Sequence, residues 1–507
     1  MLRLTSRAGP GQYQRIENNW CKGMMRPRGN NHKRVIIMKT NVKKLSAVVS
    51  SVILSGLVSS AAQASGFALI ENSASGMGNA FAGAAAIAED ASTIYFNPAG
   101  MTRLQGRQMS AAIHLISPSS DFSNDGSTSL TTAPLSGPDA DGGQSAMVAN
   151  FYYVDQLNSD WTFGLGINAP FGLGTDYGED WVGRYHATKS DMLTININPA
   201  LAIRANKNLS IGIGFNLQYI EATLENHLDS AAICQGGIAP LIDFATSTPG
   251  AGVAACNGAG LSGAGIGDAT LDSTQSLKGD DWSWGVNFGM LYDFDDKTRM
   301  GVSYRSGVNH ELAGDVDFTV NANLQAVIDG LGSYSGLFSD SAVSAHVELP
   351  DTLSISLVHE MDPKLTLLGD LTWTGWEKFN ELRIKFANPV QSDSIIPEDW
   401  NNSWRLAVGA NYKADAQWTY RAGLALDQTP IASAEERTPR IPGNDRKWLS
   451  LGVGYQMSSE MSIDVGYSHL FVSNTNIDNE DPSFGHTLTG SYDLAVDVLS
   501  AQVNMKF

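Results

Sequence analysis

The stretch Leu499-Ser500-Ala501-Gln502-Val503-Asn504-Met505-Lys506-Phe507 decides the fold. Leu499, Ala501, Val503, Met505 and Phe507 share one face, and Ser500, Gln502, Asn504 and Lys506 share the other. A period of two is the signature of an extended strand with one apolar and one polar surface. The alternation recurs upstream. Trp161, Phe163, Leu165 and Ile167 alternate with Thr162, Gly164, Gly166 and Asn168. Leu209, Ile211, Ile213, Phe215, Leu217 and Tyr219 alternate with Ser210, Gly212, Gly214, Asn216 and Gln218. A soluble sandwich needs large apolar side chains facing a second sheet. Here the polar faces are small residues, as in an outer-membrane barrel that turns its apolar face to lipid and its polar face to the lumen.

Fourteen such segments can be placed, near residues 107–117, 146–155, 160–172, 190–204, 208–225, 281–294, 298–318, 342–358, 364–386, 400–413, 417–428, 446–457, 461–473 and 493–507. After each even-numbered segment except the last the link is short: 156–159, 205–207, 295–297, 359–363, 414–416 and 458–460. After the odd-numbered ones it is long and rich in Gly, Ser, Asp and Asn, the longest running over 226–280. Short turns gathered at one end and long loops at the other describe a bacterial barrel with periplasmic turns and external loops. Trp161, Trp282, Trp284, Trp400, Trp404, Trp418 and Trp448 fall near strand starts, where an interfacial aromatic girdle is expected. The predicted fold is an all-β, 14-stranded antiparallel outer-membrane barrel over residues 107–507.

Composition agrees. Charged residues are 17% of the 507, below the roughly 25% usual for soluble domains. Mean hydropathy is −0.13, and outside one N-terminal stretch there is no apolar run of about 18 residues, which excludes a helical membrane protein. That N-terminal stretch reads as export. Lys39-Thr40-Asn41-Val42-Lys43-Lys44 is basic, residues 45–58 are mostly apolar, and Ala62-Gln63-Ala64 offers a small-residue cleavage site. Residues 1–37 are expected to be a start-site extension and 38–64 a signal peptide, so that the mature chain begins at Ser65. Without residues 1–64 the chain holds 22 basic and 51 acidic residues, a net charge of −29 that repels nucleic acid. Cys234 and Cys256, 22 residues apart in one polar loop, read as a disulfide in an oxidising compartment, with two free thiols as the alternative. No cysteine or histidine cluster suits a metal, and no cofactor is expected.

Residues 65–106 lack strand alternation and linker composition. They carry a small-residue tract over 76–90 of helical composition and end on Asn97-Pro98-Ala99, a turn signal just before the first strand. A segment of this kind could fold inside the barrel as a plug or form a periplasmic extension. Ala169-Pro170-Phe171-Gly172 interrupts the third strand, since proline cannot donate to the ladder; it reads either as a strand end or as a break in the wall. Arg383 has parity opposite to Leu382, Ile384 and Phe386 and is expected to face inward, there to hold an anionic head group or to pair with a carboxylate. Asn257-Gly258-Ala259-Gly260-Leu261-Ser262-Gly263 matches GxGxxG, but it follows no parallel strand and opens no helix, so it is not a nucleotide site. Nothing in the sequence favours a catalytic triad, and no enzyme activity is expected.

The mature chain resembles the FadL-type outer-membrane transporters of long-chain fatty acids and related hydrophobic compounds. The likeness is carried by Ser65-Gly66-Phe67, by residues 83–90 leading to Asn97-Pro98-Ala99, and by Ala169-Pro170-Phe171-Gly172-Leu173. Trp181-Val182-Gly183-Arg184-Tyr185, Leu349-Pro350-Asp351, Trp418-Thr419-Tyr420-Arg421-Ala422-Gly423 and Ile441-Pro442-Gly443-Asn444-Asp445-Arg446 also fit. The resemblance implies a monomeric barrel in the Gram-negative outer membrane, among lipid and lipopolysaccharide. It implies a hatch gated at Asn97, Pro98 and Ala99, capture of ligand among the external loops, a pocket beside Ser65, Gly66 and Phe67, and sideways release at Ala169, Pro170, Phe171 and Gly172. Trp376 and Phe379 lead to Arg383, which matches a family cation that contacts the head group. A second family cation falls at Asn226, beside His227, and this departure opens neutral or aromatic hydrocarbons as the alternative cargo. Terminal Phe507 matches the signal read by the barrel assembly machinery. An outer-membrane lipid hydrolase and an adhesive barrel are the competing classes.

Overall fold

The computed structural model describes residues 66–507. The expected start-site extension, the signal peptide and Ser65 lie outside the described residues. The wall is a closed antiparallel ring of fourteen strands. They are β1 Arg107–Asn124, β2 Ala146–Gln156, β3 Trp161–Asn168 continuing as Gly172–Asp176, β4 Lys189–Arg204, β5 Leu209–Leu228, β6 Ser273–Asp293, β7 Thr298–Arg305 with Val308–Thr319, and β8 Ser341–Leu349 with Thr352–Glu360. There follow β9 Leu365–Thr374 with Glu381–Phe386, β10 Ser394–Pro397 with Ser403–Lys413, β11 Trp418–Asp427, β12 Arg446–Gln456, β13 Met461–Val472 with Thr475–Glu480, and β14 Thr487–Lys506. Each strand pairs with its sequence neighbours. β1 closes the ring against β14 in a register running from Gln108 opposite Lys506 to Asn124 opposite Gly490. Closure leaves no sheet edge, the condition for a β-structure to stand in hydrocarbon.

The period-two pattern is realised as expected. On β14 Leu499 is exposed while Ser500 and Gln502 are buried, and on β5 Ile211, Ile213, Phe215 and Leu217 face out while Asn216 and Gln218 face in. Of the expected girdle, Trp161, Trp282, Trp284, Trp404 and Trp418 are exposed, Trp284 at 64%. Trp400 and Trp448 are not part of it. Both are buried, Trp448 because it shares parity with inward Ser450 while Leu449 and Leu451 face out.

Three strands are longer than their alternation suggests. β1 extends to Asn124, β6 begins at Ser273 rather than near 281, and β14 begins at Thr487. The added residues rise past the lipid, where neither face needs to be apolar, yet the ladder continues as far as Leu228 opposite Ser273. The longest loop is therefore residues 229–272. Within it lie the helices Ala239–Thr246 and Ala251–Gly258, and a Cys234–Cys256 disulfide ties the second of them to the turn Ile233–Ile238 that precedes the first.

Residues 66–104 lie inside the ring. The expected helix over 76–90 reduces to two single turns, Ala74–Met77 and Ala84–Ile87, because the tract adopts left-handed backbone at Ala80, Phe81, Gly83 and Ala88. A third turn, Thr93–Phe96, precedes the 3₁₀ helix Pro98–Arg103, so the Asn-Pro turn continues as helix instead of ending the segment. The wall receives this segment on inward glycines. A Cβ on Gly212 would overlap the Pro98–Ala99 peptide, one on Gly289 the Asn97 side chain, one on Gly301 the Ala85 carbonyl, and one on Gly423 the Asn79 carbonyl. Gly452 and Gly466 meet Gly78 and Met77 in the same way.

Irregular buried backbone needs hydrogen-bond partners. Arginines on the inner wall supply them. Arg204 donates to Thr102 O (2.6 Å), Arg299 to Ala86 O (3.2 Å), Arg305 to Tyr95 O (2.9 Å) and Arg405 to Ala80 O (2.5 Å). Arg421 adds an ion pair with Glu89 (3.1 Å) while also pairing with Asp464 on β13 (2.6 Å).

Gly423→Val should therefore press on the Asn79–Ala80 peptide without touching the lipid face. Overpacking of this kind costs about 1–3 kcal/mol. The barrel is expected to keep its heat-modifiable gel mobility, while limited proteolysis cuts residues 66–104 faster than in the parent.

Candidate functional site

Above the plug the inner face changes character. On β5 the inward positions are Ser210, Asn216 and Gln218 lower down, then Ile220, Ala222 and Leu224 nearer the loops. Leu173 on β3, Met192 on β4, Leu277 on β6, Leu312 on β7, Val343 and Val347 on β8, and Leu382 and Ile384 on β9 continue this apolar lining. Together they line a pocket with about 870 Å³ of space, part of it open to solvent. Its charged inward members come from loops: Glu398, just before the spanning part of β10, and Arg440, between β11 and β12. Burial pushes the Glu398 carboxyl up to about 8, and burial pulls Arg440 down to about 10.

Phe67 forms the pocket floor. Its ring lies 4.7 Å from Trp376, 5.6 Å from Phe379, 5.7 Å from Trp400 and 6.1 Å from Phe171, mostly edge-on or tilted as aromatic quadrupoles prefer. Gly66 makes this seat possible. It has φ +61°, and a Cβ there would lie 2.7 Å from both Trp376 and Trp400. On the other side of the same short run is a second cavity of about 840 Å³, bounded by Ala68, Leu69 and Ile70 and by polar wall residues such as Ser354, Asp370, Thr372 and Arg405.

The Ala169-Pro170-Phe171-Gly172 interruption is a break in the wall. The first part of β3 pairs with β2 from Phe151 to Gln156, whereas the second part pairs with β4 and meets the chain before β2 only at a single bridge, Gly143 opposite Thr175. Residues 146–150 of β2 consequently have a ladder partner only on β1 among the described residues. The plug fills part of the vacancy. Leu69 N donates to Pro170 O (2.8 Å), Gly172 N donates to Phe67 O (3.0 Å), and Ala68 bridges Phe171. Phe171 N also donates to the Thr194 hydroxyl (3.0 Å). The run that separates the two cavities, with Phe67 as the floor of the apolar one, is thus bonded to the break.

The remaining expected residues fall as follows. Asn97 is fully buried, donates to Ala85 O (2.6 Å) and Met290 O (2.9 Å), and accepts from Ala99 N (3.0 Å), so Asn97, Pro98 and Ala99 are clamped against β5 and β6, and none of them lines the pocket. Trp376 and Phe379 do belong to the pocket floor. Arg383 does not face inward. It is 37% exposed and pairs with Glu381 (2.7 Å) and Asp393 (3.5 Å). The inward expectation equated the apolar face with lipid; at this height the apolar face, Leu382 and Ile384, lines the pocket and the polar face meets water. Asn226 is buried between Tyr185 O (3.2 Å) and Gln275 (2.8 Å), and His227 turns to Glu179 (2.6 Å) and Asp272 (3.2 Å) on the loop side. Neither lines the pocket. Arg440 and Glu398 escaped sequence reading because both sit in loops without alternation. Among the described residues no group of three or more His, Cys, Asp or Glu could hold a metal ion.

The family model for outer membrane protein transport proteins (OMPP1/FadL/TodX) matches residues 55–507. The long-chain fatty acid transport protein of Escherichia coli O6:H1 is 32% identical over 416 residues, covering 82% of this chain and 88% of that protein. The crystal structure of a Pseudomonas aeruginosa FadL homologue superposes with a TM-score of 0.75 at 27% identity, covering 87% of this chain and 99% of that one. The Pseudomonas putida toluene transporter TodX shares the fold, with a TM-score of 0.64 at 17% identity over 88% of this chain and all of that one.

Arg383→Ala is expected to leave oleate affinity within about twofold of the parent, as for a surface substitution away from special features. Equilibrium binding to detergent-solubilised protein measures it.

Proposed function

The chain belongs to the OMPP1/FadL/TodX family of outer membrane transport proteins, and on that premise we propose that it carries long-chain fatty acids inward through the outer membrane, passively and without a catalytic step. One observation carries the reading: the short run Phe67-Ala68-Leu69, whose Phe67 floors the apolar pocket and whose Ala68 and Leu69 face the second cavity, is bonded to the break in β3. A ligand that displaces the floor also unties the wall.

Capture begins at the loop cap, where Phe244 is exposed within the segment closed by the disulfide. Each methylene moved from water into the pocket is stabilised by about 0.8 kcal/mol, so a long tail competes well with the aromatic contacts of Phe67. Withdrawal of Phe67 and Leu69 gives up two backbone hydrogen bonds and leaves an open side beside residues 146–150 of β2. The tail then passes sideways into the membrane without entering water. Neutral hydrocarbons are the second reading, favoured by a lining that is apolar apart from a few side chains.

Gly172→Glu sets a charge at the break. Burying an unpaired carboxylate is costly. Uptake of labelled oleate by cells should fall by more than about tenfold, while oleate still binds the purified protein. Unchanged uptake would count against sideways exit. Phospholipase activity of the purified protein above the background of an empty-vector preparation would count against a non-catalytic carrier.

A further inference from the structure

Arg440 is a guanidinium in an unusual place. It is 7% exposed, it lines an apolar pocket, and its nitrogens reach neutral groups alone: Lys189 O (3.2 Å), Ser190 Oγ (3.0 Å) and Asn226 Oδ1 (3.5 Å). No carboxylate stands within ion-pair distance of it among the described residues. Buried charges are normally paired, because desolvation of a lone ion is expensive. A planar guanidinium has five N–H donors in a fork that fits a carboxylate. Arg440 spends its bonds on Lys189, Ser190 and Asn226 from the Nη atoms and keeps donor capacity in hand. The second inward charged group, Glu398, is 4% exposed and makes no ion pair either.

We propose that Arg440 is the head-group residue of the pocket, binding the carboxylate of the cargo, and that Glu398 tunes this site by its own charge. The inference rests on the reading of the pocket as a fatty-acid site. It names the residue that separates acids from neutral hydrocarbons of equal length. With Glu398 neutral, the Arg440 charge is uncompensated and the carboxyl can donate a hydrogen bond to an incoming carboxylate. With Glu398 ionised, the pair cancels and a second carboxylate is repelled. Burial raises Glu398 to about 8, so the change falls between pH 7 and 9, with affinity for the acid present below the transition and lost above it. The charged group that acts on Glu398 is Arg440; Asp481 and Glu225 act on Arg440 in turn. Asp191 and Lys278, the latter paired with Glu221 (3.1 Å), border the same pocket from β4 and β6.

The test compares oleate with oleyl alcohol on the purified full-length protein. Arg440→Gln should weaken oleate by about 10- to 100-fold, the range for losing a charge-assisted bond, and leave the alcohol within about twofold. Arg440→Lys should restore part of the oleate affinity. Equal losses for both ligands would assign Arg440 to holding β4 and the loop together and overturn the proposal. In the parent, oleate affinity should fall from pH 7 to pH 9 while the alcohol does not respond, and Glu398→Gln should abolish the step. A step that survives Glu398→Gln would remove Glu398 from the site. If neither ligand binds the parent protein, the transport reading fails and not the charge assignment alone.

Discussion

A cylinder closed by backbone hydrogen bonds has no edge, but it has an interior, and that interior must satisfy its polar groups without bulk water. The rest of the structure follows from this. The inner faces carry Gly, Ser and Asn because the plug brings irregular backbone against them at van der Waals distance. The plug cannot bond itself as a helix or strand would, so its carbonyls are met by Arg204, Arg299, Arg305 and Arg405 from three strands. An arginine has its charge spread over a planar fork and is weakly hydrated for a cation, which suits the buried positions of Arg299 and Arg405.

The same constraint locates the site. Within the membrane the outside must be apolar and the inside polar. Above it, water is outside, and the strands reverse their polarity without changing parity. On β5 the even positions remain inward while they pass from Asn216 and Gln218 to Ile220, Ala222 and Leu224. On β9 Leu368 and Asp370 below and Leu382 and Ile384 above are all inward. A greasy chamber thus sits on a polar plug, divided from it by residues 66–70.

This reversal also explains what could be read from the sequence. Strand number, the alternating turn lengths and the inner position of polar residues were legible wherever one face met lipid. Arg383 was assigned the wrong side because local apolarity was taken as the lipid face, whereas parity counted up from Leu367 and Leu371 would have sent it outward. The outer ends of β1, β6 and β14 were hidden because paired strands in water need no alternation. Trp448 was misread for want of the same parity count. The plug arginines stood on polar faces and could have been found there, but their acceptors are backbone carbonyls, which no side-chain pattern announces. Arg440 and Glu398 lie in loops, where only the folded chain brings them to the pocket.

The glycine seats have a mechanical corollary. Residues 74–103 are gripped by wall strands on every side, and Tyr152 and Asn150 on β2 hold the Asn72 and Glu71 carbonyls (3.1 and 3.0 Å). The stopper is therefore a bolt fixed in its socket with a short tongue in front, and Glu71-Asn72 is the last point at which β2 holds it. In the proposed transport five or six residues would swing while the bolt stays home, and oily molecules would pass one at a time without a hole wide enough for ions or antibiotics.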